Sequence, residues 1–170
     1  MNILIVDDEP KNLRLLDLLL SPNYNIIKAS DGQKALELLQ TDIVDLILLD
    51  IMMPGLNGFE ICTAIKADQQ HSDIPIIMLT SLNDNNNQIK GLKAGAADYV
   101  TKPFELEILE VRIKTQLELK RKKDELKNML AEKENLITEL TDALTNIKTL
   151  KSMLPICASC KKGFFCEMKR

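Results

Sequence analysis

No apolar run in these 170 residues approaches the roughly 20 needed to cross a bilayer, so nothing in the sequence reads as a membrane span. The N-terminus, MNILIVDDEP, lacks a basic stretch and turns acidic after four apolar residues, which does not fit a secretory signal. There is no glycine-rich nucleotide loop. The single histidine, His71, precedes a predicted strand and is expected to be an exposed loop residue. A formal net charge of -3 leaves no basic footprint for general nucleic-acid binding. Of four cysteines, Cys62 stands alone and Cys157, Cys160 and Cys166 crowd the end, a pattern that excludes a disulfide framework and points to a reducing, cytoplasmic location. Glycine and proline are both missing between residues 104 and 154.

What is present divides unevenly. Residues 1–103 carry 14 acids and 8 bases, net -6, whereas residues 104–170 carry 11 acids and 14 bases, net +3. The shift marks a boundary near Pro103. The expected organisation is a domain over 1–117, a coiled-coil helix over 118–154 and a cysteine-containing tail over 155–170.

The first part alternates strand and helix signals. Short apolar runs are expected as strands at Ile3 to Val6, Tyr24 to Ala29, Leu46 to Leu49, Ile76 to Leu79 and Asp98 to Thr101. Between them lie helical patterns: Leu13, Leu16, Leu19 and Leu20 after a Glu9 cap and Pro10; Ala35, Leu36, Leu38 and Leu39 after Asp31-Gly32; Phe59, Ile61, Ala64 and Ile65; and Ile89 and Leu92 before Gly95. Strands alternating with helices predict an α/β fold, a doubly wound five-stranded parallel sheet of flavodoxin-like order 2-1-3-4-5.

In that order the first and third strands are neighbours. Asp7 and Asp8, after the first, then stand beside Asp50, after the third; Thr80 and Lys102, expected just past the ends of the fourth and fifth, join the same rim. Taken alone, Asp50 is equally a solvated loop acid or a helix cap. Together, three carboxylates, a hydroxyl and an ammonium suit a magnesium ion (or manganese) and phosphoryl transfer, with Asp50 as a nucleophile able to form an acyl phosphate.

These residues also carry a resemblance. The stretches IVDDEP (5–10), DGQKAL (31–36), LLDIMMPGLNGFE (48–60), PIIMLTS (75–81) and GLKAGAADYVTKPF (91–104) resemble a bacterial response-regulator receiver domain in order and spacing. The resemblance implies Asp50 as phosphoacceptor, Asp7 and Asp8 as the acidic pair, and magnesium held by Asp8, Asp50 and the backbone carbonyl of Met52. It further implies Thr80 as the switch hydroxyl, Tyr99 as the switch aromatic (an ordinary core aromatic otherwise), and Lys102, before a cis proline, as the lysine that reaches the phosphate. A partner histidine kinase, or a small phosphodonor, supplies the phosphoryl group. Met52 and Leu82, two residues past Asp50 and Thr80, flank the path of the hydrolytic water in this family. Both are apolar, so a long-lived phosphoaspartate is expected.

From Phe104 the pattern is helical. Leu106, Ile108, Leu109, Val111 and Ile113 read as the last helix of the first domain. Beyond it a heptad runs with Leu119, Leu126, Lys133, Leu140, Ile147 and Leu154 at a, and Lys122, Met129, Leu136, Ala143 and Leu150 at d. Leu130, Ile137 and Leu144 add the e positions. A parallel homodimer is expected, with a bundle of more helices, or folding back on the first domain, as alternatives. The basic run Lys120 to Lys123 reads as a solvated face, because no helix-turn-helix pattern follows it.

The tail LPICASCKKGFFCEMKR has zinc or dithiol spacing at Cys157 and Cys160, with Cys166 as a third candidate ligand, but no fourth ligand is near. Lys161 replaces the histidine a haem attachment needs. LPICASCKK is similar to a cysteine segment that follows receivers in some bacterial signalling proteins and continues further there; the chain is therefore expected to be a regulatory fragment of a larger protein or to end in a degraded module. The competing readings are a magnesium-dependent phosphohydrolase with an aspartate nucleophile, whose acids usually follow the first strand rather than the third, and a constitutive scaffold with a vestigial pocket.

Overall fold

The structure, a computed structural model, describes residues 1–81, 90–91 and 93–153. The predicted Asn83 to Asn87 loop, Ile89, Leu92, Leu154 and the whole tail, with Cys157, Cys160 and Cys166, lie outside the described residues, as does Leu82. Five strands, β1 (Asn2–Val6), β2 (Asn25–Ala29), β3 (Leu46–Asp50), β4 (Ile76–Ser81) and β5 (Asp98–Lys102), form one sheet in the order β2-β1-β3-β4-β5. All four pairings are parallel. The described helices are α1 (Pro10–Leu20), α2 (Gly32–Thr41), α3 (Gly58–Ala67) and α4 (Leu106–Met153). No described helix is long and apolar enough to cross a membrane.

The strand sequences explain the layering. Successive side chains of a strand point to opposite faces, and an all-apolar strand therefore supplies two cores. Leu4, Val6, Ile47, Leu49, Ile76 and Met78 face one side, where Ala35 and Leu39 of α2 and Ile61, Cys62 and Ile65 of α3 cover them. Ile3, Ile5, Leu46, Leu48, Ile77 and Leu79 face the other, under Leu16 and Leu20 of α1 and Leu109, Ile113 and Leu117 of α4. Each fully buried Leu or Ile contributes on the order of 1.5–3 kcal/mol. All five β3 residues are buried, Asp50 included.

Local expectations need correction in three places. Thr80 and Lys102 belong to β4 and β5 instead of following them, because backbone pairing carries β4 two residues further and β5 one, to Ser81↔Lys102. Glu9 is the N-cap of α1 but makes no side-chain capping bond. His71 is buried: its Nδ1 lies 2.6 Å from Asp68 Oδ2, a partner three residues back that lets the ring leave solvent.

The chain forms two compact units, Met1–Lys123 and a second beginning at Asp124. Within the second, α4 exposes a continuous apolar stripe: Leu126, Met129, Leu130, Leu136, Ile137, Leu140, Leu144 and Ile147 are each more than half exposed.

Candidate functional site

The carboxyl ends of β1, β3, β4 and β5 converge on one edge of the sheet. Parallel strands all end on the same side, so whatever follows β1 and β3 meets there. Asp7 is completely buried, Asp50 is 5% exposed and Thr80 2% exposed. One carboxylate oxygen from each of Asp7, Asp8 and Asp50 lies within 4.8 Å of the others. Lys102 Nζ bridges two of them, at 2.8 Å from Asp7 Oδ2 and 2.7 Å from Asp50 Oδ2. The Lys102–Pro103 peptide is cis.

The turn after β3 is shaped by two glycines. Gly55 has φ +82°, a left-handed conformation that favours glycine. Gly58 packs so closely that an added Cβ would sit 2.3 Å from the Asp50 carbonyl oxygen. Its N–H donates to Ile51 O at 3.1 Å, and Asn57 with Glu60 forms a capping box that starts α3 at that point. The backbone around Asp50 is thus fixed on both sides, and Met52 N–H donates to Asp50 Oδ1 at 3.3 Å. The Met52 side chain stands 71% exposed at the rim.

Electrostatics follow from this geometry. Burial raises the Asp50 pKa above the usual carboxylate range; the hydrogen bond and charge of Lys102 offset this in part, and the Asp7 charge adds to it. Burial pulls the other way on Lys102, but its bonds to Asp50 and Asp7 outweigh that, so the ammonium is held protonated above its ordinary value. Two carboxylates therefore contact one cation while Asp8, half-buried, stands beside them. Hard oxygen donors in excess of positive charge fit a magnesium ion better than zinc or another soft-ligand metal.

One participant was not legible in the sequence. Asn12, in the first turn of α1, donates from Nδ2 to both Asp7 oxygens, each at 3.0 Å. Glu9 N–H donates to Asp7 Oδ1 at 2.9 Å. A polar residue in a helix's first turn reads as surface; only the close approach of α1 to the end of β1 turns it inward. Tyr99, half-buried on β5, packs against the α2–α3 core, with the Arg112 guanidinium 5.5 Å from its ring centroid. Arg112 also pairs with Asp98.

Comparison with known proteins places this pocket. A sequence profile described as the response regulator receiver domain matches residues 3–114. The probable transcriptional regulator ycf27 of Guillardia theta is 47% identical over 116 residues, 68% of this chain and 44% of that protein. The response regulator PleD of Caulobacter vibrioides is 40% identical over 126 residues, 74% of this chain and 28% of that protein. The chain thus spans less than half the length of these relatives. Among solved structures, the chemotaxis protein CheY4 of Vibrio cholerae superposes with a TM-score of 0.64 at 30% identity, covering 67% of this chain and 96% of that one. The acidic pocket at the carboxyl edge of the sheet is the place where such domains bind magnesium. The chain belongs to the response regulator receiver domain family.

Proposed function

We propose that this chain is a phosphorylation-dependent switch in which Asp50 accepts a phosphoryl group from the phosphohistidine of a partner kinase. The observation that carries the reading is Lys102, whose ammonium touches the buried Asp50 and Asp7 carboxylates at once. An Asp50 oxygen attacks phosphorus, the phosphorus–nitrogen bond to the donor imidazole breaks, and an acyl phosphate forms on Asp50. Asp8, Asp50 and the Met52 carbonyl would hold a magnesium ion, which would supply charge neutralisation for the transferring group. Lys102 and the Thr80 hydroxyl then hold the transferred oxygens. Asp7 keeps Lys102 oriented before transfer.

Movement of Thr80 toward the phosphoryl group lets Tyr99 repack and alters the face made by β5 and the first turns of α4. The stripe on α4 from Leu126 to Ile147 is the reader of that change, as a parallel homodimeric coiled coil or a docking helix. The chain is a regulator and not an enzyme in this reading, and its output lies in a partner or in a further module of a longer protein. Zinc has no assigned role.

The test is incubation with acetyl phosphate and Mg2+, read by intact mass. Wild type gains one phosphoryl group and Asp50→Asn gains none; labelling of Asp50→Asn at the wild-type rate overturns the assignment. Steady turnover of a generic phosphate ester would favour a phosphohydrolase instead. Identical oligomeric states with and without an acyl-phosphate mimic would refute coupling to the helix.

A further inference from the structure

We propose that Asn12 is a positioning residue for phosphoryl transfer: it shares the charge of Asp7 with Lys102, so that the lysine can leave Asp7 for the incoming phosphoryl oxygens. The inference rests on the reading of Asp50 as phosphoacceptor and Lys102 as the phosphate-binding lysine.

The Asp7 carboxylate is completely buried and receives four donor contacts. Oδ1 takes the Glu9 N–H and the Asn12 amide; Oδ2 takes the same amide and Lys102. A carboxylate offers about four lone-pair sites, so protein donors saturate Asp7 before any ligand arrives. Holding the backbone alone would need only the Glu9 contact. The amide adds something different, because a single nitrogen at 3.0 Å from both oxygens fixes the plane of the carboxylate and neutralises part of both.

Transfer changes this arrangement. A phosphoryl group on Asp50 brings further negative charge beside Lys102, and the ammonium must turn from Asp7 Oδ2 toward it. Asp7 is then left buried with Glu9 N–H and Asn12 as its protein donors. An ionised buried group that loses its hydrogen bonds carries a large desolvation penalty. Asn12 lowers that penalty at the moment the lysine departs. Without it, Asp7 grips Lys102 harder and the transfer slows, whereas a divalent cation meets an Asp7 no less negative than before. The predicted signature is therefore a split between metal affinity and transfer rate.

Three variants test this on the full chain: Asn12→Leu, close in size and without donors; Asn12→Asp, the same shape without N–H donors; and Asn12→His, whose Nδ1 takes the place of the amide nitrogen. Magnesium affinity is measured by calorimetry and the transfer rate by intact mass with acetyl phosphate. Asn12→Leu and Asn12→Asp should bind Mg2+ at least as tightly as wild type yet take up phosphate about tenfold more slowly, as expected for one lost hydrogen bond to a charged group. Asn12→His should recover most of the rate. Wild-type rates in Asn12→Leu and Asn12→Asp overturn the proposal, and so does a parallel loss of magnesium affinity and rate, which would make Asn12 a builder of the site. If one of these two variants fails to melt cooperatively, the other decides alone. Should wild type itself take up no phosphoryl group, the phosphoacceptor reading falls; should wild type be labelled and the Asn12 variants behave alike, only this inference falls.

Discussion

Met52 sits 71% exposed, two residues beyond the buried Asp50, with its N–H on the Asp50 carboxylate and its thioether at the rim of the pocket. An apolar side chain there gives an attacking water no hydrogen-bond partner, and Leu82 is apolar as well. Hydrolysis of the acyl phosphate needs such a water to be oriented and deprotonated. Replacing both residues, Met52→Asn with Leu82→Glu, should speed dephosphorylation of the isolated protein several-fold. Measuring the decay of the phosphorylated mass after donor removal checks this, and no acceleration would sink the idea. Single residues also mark the limit of what sequence discloses. Asp7, Asp8, Asp50 and Lys102 were legible as one cluster because each lies at or beside the end of a strand that the alternating pattern predicts. Asn12 and His71 were not. Their roles depend on where a helix and a loop lie in three dimensions, and nothing in the local pattern of either residue carries that information.

At the scale of the element, the strands were the most legible part, since runs such as Leu46 to Leu49 are buried on both faces and carry no competing signal. The helices were readable in outline, but not which of their apolar residues face inward: along α4, Leu106, Ile108 and Val111 are exposed, and Leu109, Ile113 and Leu117 make the contact with the sheet. The heptad beyond was read from periodicity alone. In the second unit Lys133 falls at an a position between Leu126 and Leu140, both more than half exposed. A lysine buried at such a seam costs stability and restricts how helices associate. Lys133→Leu should tighten self-association of the full chain, as a lower dissociation constant by sedimentation equilibrium, and shift the population toward more than two helices. An unchanged association constant would place the seam elsewhere on α4.

At the scale of the whole molecule, the alkaline limit of stability has an identifiable contributor. The Cys62 thiol is fully buried in the core between α3 and the sheet, with Sγ 3.4 Å from Ala94 O. Burial pushes its pKa from 9.0 up to about 11, against a smaller downward pull from Lys66. A group whose folded pKa is raised stabilises the fold fully below its unfolded value and loses that contribution as pH climbs through the folded one. Stability should therefore decline between about pH 9 and pH 11. Cys62→Ala should be less stable at neutral pH, by roughly 1 kcal/mol for the lost sulfur, yet show a shallower decline in denaturant midpoint over that range. Equal slopes for the two proteins would remove Cys62 from the account.

The two cores described above share no residue, for the sheet divides the domain as a partition with a distinct population of side chains on either side. Tyr99 belongs with one population, whereas α4 is anchored in the other through Leu109, Ile113 and Leu117. Five strands of close-packed backbone leave little room for a packing change to pass through the middle. Strand β5 is an edge, however, and there Arg112 reaches round from α4 to lie over the Tyr99 ring while holding Asp98 at the start of the same strand. In the switch proposed above, the border of the partition would serve as a doorway: a displacement of the ring would be handed to the helix by the guanidinium group that contacts both Tyr99 and Asp98.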